Sequence, residues 1–215
     1  MRGIKVGINI STTTITTAVA QLDKNAKLSV LGVGSSITQG VRKGAVADVE
    51  AAARALKLSL HEASRSSGAT VKSAYLAVGG SHVNSFTTRG AIAVSRADGE
   101  ITEEDTARVI RAAEGMIPRN PNREILHVVP REFKVDGDGG IIDPVGMVGM
   151  KLEVEALVID GSRSAVQNLV RCSELAGVEV ESLTASALAV SEVLLTRKQK
   201  ELGVILLDLG ADTSD

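Results

Sequence analysis

The stretch LLDLGADTSD, residues 206–215, carries the pattern that decides the fold. An apolar run begins at Val204 and is followed by Asp208 and then by small residues and hydroxyls. This order predicts a buried strand over residues 204–209 that runs into a tight turn. Backbone amides in such a turn can surround an anion, and Ser and Thr hydroxyls add further donors. The stretch therefore predicts half of a phosphate-binding site.

The beginning of the chain repeats this pattern. INISTTT at residues 8–14 aligns with LDLGADT at residues 207–213, so that Asn9 corresponds to Asp208 and Thr14 to Thr213. Each copy is an apolar strand, then an amide or a carboxylate, then a turn of small residues. A repeat about 200 residues apart predicts a duplicated domain whose second copy has only begun.

Two such turns that face each other would hold the β- and γ-phosphates of a nucleotide. The candidate phosphate-binding residues are Ser11, Thr12, Thr13, Gly210, Ala211, Asp212 and Thr213. Asn9 and Asp208, at the strand ends, are candidate Mg²⁺ ligands that would act through water. Residues 11–14 can also be read as a plain hairpin turn, and the sequence leaves both readings open.

Composition excludes several classes of protein. The formal net charge of −2 gives no general attraction to nucleic acid, and one cysteine, Cys172, rules out a disulfide framework. The three histidines stand far apart without metal-ligand spacing, and Cys172 is expected to be a structural thiol within a helix. We expect a cytoplasmic protein, because no signal peptide and no apolar run of about 18 residues is found.

The order of predicted elements indicates an α/β protein with an insertion. A β-meander and a helix that begins near Asp48 and ends at Gly68 are followed by a strand. Residues 83–161 then read as a separate α+β subdomain, with a helix opened by the capping-box-like Thr102. After it the α/β alternation resumes with a helix ended by Gly177, an apolar and buried helix at 185–195 and a charged loop at 197–201. Residues 40–44 are predicted to be a solvated basic loop.

Longer stretches resemble the bacterial cell division protein family FtsA, of the actin-like superfamily. They are LGVGSSITQGVRKGAVADVEAA (31–52), AVGGSHV (77–83), ITEEDTARVIRAA (101–113), REILHVVPREFKVDG (123–137), DPVGMVGMKLEVEALVIDGS (143–162), VQNLVRCSELAGVEVESL (166–183) and LLDLGADTSD (206–215). The resemblance implies an actin-like, ribonuclease H-like first domain at 1–82 plus 162–195. It implies an inserted subdomain at 83–161, and a truncated second actin-like half of which 203–215 is the first strand and phosphate turn.

The resemblance also implies a function. Proteins of this family are division scaffolds that bind ATP with Mg²⁺, polymerise, and link FtsZ filaments to the inner face of the cytoplasmic membrane through their C-terminal parts. The inserted subdomain is implied to serve self-association and contacts with later division proteins. We therefore expect an adaptor with weak or absent ATPase activity rather than an enzyme.

Two residues of the first turn depart from the family pattern, which reads Asp-Ile-Gly-Thr/Ser. Asn9 replaces the aspartate and so removes a charge that favours Mg²⁺. Ser11 replaces the glycine and so adds a side chain near the phosphate.

Two alternatives from the same superfamily stay open. One is a small-molecule kinase, for which no carboxylate stands out as a general base. The other is a PilM-like adaptor of type IV pilus assembly.

Overall fold

The computed structural model describes residues 3–24 and 27–214. The outermost residues of the predicted ranges 1–82 and 203–215, namely Met1, Arg2 and Asp215, lie outside the described residues. The chain forms two compact units, residues 1–83 with 161–215 and residues 84–160.

The strands and helices, in chain order, are as follows. The strands are β1 Ile4–Ile10, β2 Thr14–Leu22, β3 Leu28–Ile37, β4 Val41–Arg42, β5 Ala45–Val46, β6 Ser73–Val78, β7 Val83–Ala93, β8 Arg123–Val135, β9 Asp138–Ile141, β10 Lys151–Ser162 and β11 Glu179–Ala185. The helices are α1 Val49–Ser67, α2 Glu103–Gly115, α3 Arg163–Ala176, α4 Ser186–Leu194 and α5 Arg197–Leu202.

The first unit is built on a five-stranded sheet in the order β11-β6-β1-β2-β3. Strands β1, β2 and β3 pair antiparallel, as the predicted meander requires, whereas β6 pairs parallel with both β1 and β11. Asn9 lies opposite Thr16 on one side and Ala77 on the other. The carboxyl ends of three parallel strands, β1, β6 and β11, therefore meet at one edge of the sheet.

Helix α1 covers one face of this sheet, and its ends are those that the sequence predicts. Asp48 caps its first turn by accepting a hydrogen bond from the Ala51 amide, and Gly68 ends it in the left-handed conformation at φ 68°. Leu56 and Ala63 on its apolar face are 0% exposed. A Cβ on Gly34 would lie 2.0 Å from the carbonyl oxygen of Ser59, so glycine is what permits this close approach of β3 to the helix.

The opposite face of the sheet is only partly covered. Helix α4 lies on this side and contacts β6 and β11, but none of its residues is buried, and Val193 is 83% exposed. The prediction of a buried helix at 185–195 is therefore wrong. Its apolar composition was read as burial, but the described residues place no second layer over the helix.

The second unit is a four-stranded sheet in the order β7-β10-β8-β9 with helix α2. The capping box at Thr102 is confirmed, since its side chain accepts from the Asp105 amide while Asp105 accepts from the Thr102 amide. The core of this unit consists of Ile101, Val109, Ala113, Phe133, Val135, Leu152 and Val154. Residues 84–160 thus have a hydrophobic core of their own.

Three local predictions are corrected. The expected strand over residues 204–209 is not formed: residues 203–208 belong to no helix or strand, and Leu209 makes only an isolated bridge to Ser214. The charged segment 197–201 is helical, within α5, because Thr196 and Gln199 form a capping box. The basic loop at 40–44 is part of the β4–β5 hairpin, whose turn is made by Lys43 at φ 50° and Gly44 at φ 73°.

Candidate functional site

The first turn, between β1 and β2, is closed by its own serine. The Ser11 amide donates to the Thr14 carbonyl at 3.2 Å, and Ser11 Oγ donates to the same carbonyl at 2.8 Å. The Thr38 amide donates to the Thr13 carbonyl at 3.0 Å. The Ser11 hydroxyl is therefore engaged within the turn, whereas Thr12 is half-buried and Thr13 is exposed. The hydroxyls that remain to donate to a phosphate at this turn are those of Thr12 and Thr13.

Asn9 lies on the open face of the sheet, one residue before the end of β1. It is exposed and lines a cavity of about 720 Å³ between the sheet and α4. The cavity walls are otherwise largely apolar and include Tyr75, Ala77 and Val190. Sequence reasoning identified Asn9 but not this cavity, because the packing of α4 on the sheet leaves no local signal.

The second turn is narrow because of its glycine. The Gly210 amide donates to the Thr213 carbonyl at 2.8 Å, and a Cβ on Gly210 would lie 2.9 Å from that same oxygen. Asp208, Ala211 and Asp212 are exposed. Only a residue without a side chain fits this turn undisturbed, and the glycine amide is itself already bonded within the turn.

The structure ties each turn to a different neighbour. Thr38 binds the first turn, and the Lys43 amide donates to Asp212 Oδ2 in the second at 3.2 Å. Among residues 3–24 and 27–214, no hydrogen bond joins the two turns, and no three His, Cys, Asp or Glu residues are grouped to hold a metal. The joint site of Asn9 and Asp208 stays a prediction.

The chemistry of the two turns fits a nucleotide phosphate with Mg²⁺. Thr12 and Thr13 offer hydroxyls, and the exposed Ala211 offers a backbone amide, as hydrogen-bond donors to a phosphate. Asn9 and Asp208 offer the amide and carboxylate oxygens that Mg²⁺ accepts, usually with water between. The assignment of these residues to a cofactor stays a prediction.

A separate polar cluster lies on β1, β6 and β11. Lys5 Nζ donates to Tyr75 Oη at 2.9 Å, and this bond is the main reason that the pKa of Lys5 is raised. Ser73 Oγ donates to Glu181, which with the nearby Lys5 ammonium lowers the pKa of that carboxyl. The cluster joins three neighbouring strands, and its groups already bind one another.

Cys172 is the structural thiol that the sequence predicts. It is 0% exposed in α3, and burial raises the pKa of its thiol to about 11. A protonated, buried thiol is a poor nucleophile and a poor metal ligand.

None of the helices in the described ranges combines the length and the apolar character that crossing a membrane requires.

The sequence is similar to a known domain family and to known proteins. Residues 80–160 match the domain family described as "SHS2 domain inserted in FTSA". The cell division protein FtsA of Borreliella burgdorferi is 41% identical over 215 residues, which are 100% of this chain and 52% of that protein. The FtsA of Streptococcus pneumoniae is 35% identical over 209 residues, 97% of this chain and 45% of that protein.

The chain belongs to the FtsA family. It matches the N-terminal portion and spans about half the length of the curated relatives it matches. Escherichia coli FtsA shows the same pattern, with 30% identity over 214 residues, 100% of this chain and 50% of that protein. The family resemblance drawn from the sequence stretches is therefore confirmed.

A solved structure supports the fold. The "PilM-PilN type IV pilus biogenesis complex" matches with a TM-score of 0.67 and 18% identity, covering 98% of this chain and 56% of that one. The actin-like α/β fold with an inserted subdomain is confirmed. Identity this low shows a shared fold alone, so neither the pilus alternative nor the kinase alternative is favoured over FtsA.

Proposed function

We propose that this chain is the N-terminal part of a cell division scaffold that, when intact, links FtsZ filaments to the inner face of the cytoplasmic membrane. The observation that carries the proposal is the similarity to proteins named cell division protein FtsA, which extends over 97–100% of the chain. The match includes the SHS2 domain that is inserted in FtsA. The role is that of an adaptor rather than an enzyme.

The intact protein binds ATP with Mg²⁺ between its two phosphate turns. Thr12 and Thr13 supply hydroxyls and backbone amides from the first turn, and Ala211 and Thr213 supply backbone from the second, which Gly210 closes. When bound, Mg²⁺ would neutralise phosphate charge, with Asn9 and Asp208 as its protein-side oxygens through water. Asn9 is neutral, so it supports the ion less strongly than an aspartate would.

The 215-residue chain alone binds ATP weakly at most. Thr13 of the first turn and Ala211 of the second are exposed, and α4, which lines the apolar cavity beside Asn9, has no buried residue. Small-molecule affinity comes mainly from burying most of the ligand, and phosphate contacts at an exposed turn do not achieve this. Calorimetric titration that shows tight, Mg²⁺-dependent binding to this chain would contradict the expectation.

The inserted unit serves self-association and the docking of later division proteins. Its support is a group of exposed apolar side chains on the loop between β9 and β10: Ile142 is 87% exposed, Val148 is 70% exposed and Met150 is 81% exposed. Large apolar side chains grouped on a surface mark an interaction site more often than single ones do.

A hybrid protein tests the scaffold role. In it, this chain replaces the matched residues of Streptococcus pneumoniae FtsA, and the native protein is depleted. We expect the hybrid to collect at the division site and to sustain division. A hybrid that accumulates to normal levels but stays diffuse, with division arrested, would contradict the proposal.

A pair of variants of the same hybrid tests the inserted unit. Ile142→Glu with Met150→Glu should weaken self-association in sedimentation experiments. Ile125→Glu, at a 48% exposed position on β8, is the matched control and should leave it unchanged. Equal self-association of the double variant and the parent would remove the loop from the interface.

A further inference from the structure

Asp212 raises an electrostatic problem within the proposed phosphate site. The second turn carries two carboxylates, Asp208 and Asp212, and no basic residue of its own. A carboxylate that pointed at a phosphate would repel it, because like charges repel each other even in water. Asp208 can be compensated by Mg²⁺, but Asp212 needs another partner.

The β4–β5 hairpin supplies that partner. The Lys43 amide donates to Asp212 Oδ2 at 3.2 Å, across 169 residues of sequence. Both neighbouring basic side chains, Arg42 and Lys43, are exposed, and among the described residues neither takes part in an ion pair. The carboxylate of Asp212 is therefore engaged by a backbone donor beside a basic hairpin tip.

The hairpin tip is itself wedged against the bend that follows β6. A Cβ on Gly44 would lie 2.7 Å from Gly80 Cα, and a Cβ on Gly80 would lie 2.7 Å from the Lys43 carbonyl oxygen. The Ser81 amide donates to that same carbonyl at 3.4 Å. Gly44 and Gly80 are both buried, so two glycine backbones are in direct contact here.

The base of the hairpin is equally well held. The amides of Ala47 and Asp48 both donate to the Gly40 carbonyl, at 2.8 Å and 3.0 Å. Asp48 then caps α1, and Val41 and Val46 are each 7% exposed. A hairpin that is held at its tip and at its base is a rigid support for the Asp212 carboxylate that binds to it.

From these contacts we infer that Lys43 is a positioning residue for the second phosphate turn and that Asp212 is its anchor rather than a phosphate or metal ligand. By holding the carboxylate, the Lys43 amide leaves the backbone of Ala211 to face a nucleoside triphosphate, while the Gly210 amide closes the turn on the Thr213 carbonyl. The second turn, the hairpin tip and the Gly79–Gly80 bend are then held together and move as one rigid unit. The inference rests on the proposed nucleotide binding and adds to it a third element of the site.

Amide hydrogen exchange on this chain without nucleotide tests the anchor directly. Asp212→Ala should speed exchange at the Lys43 and Ser81 amides by at least about fivefold, since it removes a charge-assisted hydrogen bond. Asp212→Asn keeps an acceptor oxygen and should restore nearly the parent rate. Unchanged exchange in Asp212→Ala, or an asparagine variant as fast as the alanine variant, would overturn the inference.

A glycine pair controls for backbone strain. Gly44→Ala and Gly68→Ala both place a side chain at a positive φ, 73° and 68°, but a Cβ at Gly68 meets nothing within 4 Å. We expect Gly44→Ala to speed exchange at Lys43 and Gly210, and Gly68→Ala to leave both unchanged. Equal effects of the two variants would show that backbone strain, rather than the contact with Gly80, speeds exchange at Lys43 and Gly210.

Titration of ATP–Mg²⁺ into the hybrid protein separates this inference from the proposed function. Asp212→Ala should weaken ATP binding, whereas Asp212→Asn should preserve it. If Asp212→Asn strengthened binding by tenfold or more, the carboxylate would be facing the phosphates and the anchor role would be wrong. A hybrid that binds no ATP would instead refute the proposed nucleotide site, while the exchange experiment would still decide the anchor.

Discussion

Ser59 Oγ donates to Thr17 Oγ1 at 2.8 Å, and both residues are 0% exposed. The same hydroxyl lies 3.1 Å from the carbonyl oxygen of Gly34. Helix α1 is thus joined to β2 and β3 by a fully buried hydroxyl pair, in addition to the more exposed contacts that Ser36 and Ser66 make.

Removing this hydroxyl should destabilise the first unit. Ser59→Ala leaves Thr17 without its buried donor, so the free energy of unfolding should fall by about 1–3 kcal/mol. Urea unfolding measures the effect. Thr17→Val should lower the free energy of unfolding less in the Ser59→Ala background than in the parent protein. Ser29→Ala, at an exposed position, is the control. Additive effects would show that the two hydroxyls are not coupled.

The second unit should lose stability in acid through Asp105. Hydrogen bonds from Thr102, with help from Arg108, lower the pKa of this carboxyl in the folded state. Its contribution is therefore present above the unfolded pKa of about 3.9 and is lost as pH falls through the folded value. Asp105→Asn should be less stable than the parent at pH 7, and the difference should shrink below about pH 4.

Urea midpoints at several pH values check this prediction. Glu104→Gln, at an exposed position in the same helical turn, should change stability little at any pH. A gap between Asp105→Asn and the parent that stayed constant down to pH 2 would mean that the charge of Asp105 contributes nothing.

Cys172 should react only when the protein unfolds. Burial removes its solvent contact and raises its pKa to about 11, so little thiolate exists in the folded protein near pH 8. The rate of reaction with a disulfide reagent should follow the fraction unfolded across a urea series. Rapid reaction in the absence of urea would show that α3 opens locally.

Residues 203–208 should exchange their amide hydrogens quickly. They belong to no helix or strand, and Ile205 is 93% exposed, whereas β1 lies inside the sheet. Hydrogen exchange with mass spectrometry compares the two segments in one experiment. Slow exchange over 203–208 in dilute solution would mean that this segment pairs with another strand.

Restoring a charge at Asn9 should strengthen Mg²⁺-dependent ATP binding in the hybrid protein. Asn9→Asp is nearly isosteric, and the side chain is exposed, so packing should barely change. Without Mg²⁺ the added carboxylate would only repel phosphates, so binding should be equal or weaker. Calorimetric titration with and without the ion measures both arms. The same ATP affinity for both proteins in Mg²⁺ would show that position 9 is not a metal position.

The amino-acid sequence by itself determined the elements whose signals are local. The meander of β1, β2 and β3 follows from short apolar runs separated by turns, and α1 begins and ends where Asp48 and Gly68 provide the caps. The capping box at Thr102 is equally local. Each of these features depends on residues within a few positions of one another, so each can be read from the chain without knowing the fold.

Only the tertiary structure decided the features that depend on distant partners. A strand over 204–209 needs a neighbour to pair with, and α4 needs a second layer to bury its apolar side chains; no residue in the described ranges provides either. The contact between Lys43 and Asp212 joins residues 169 positions apart. Hydrogen bonds and burial of this kind arise when the sheet brings remote segments together, and no pattern within either segment predicts them.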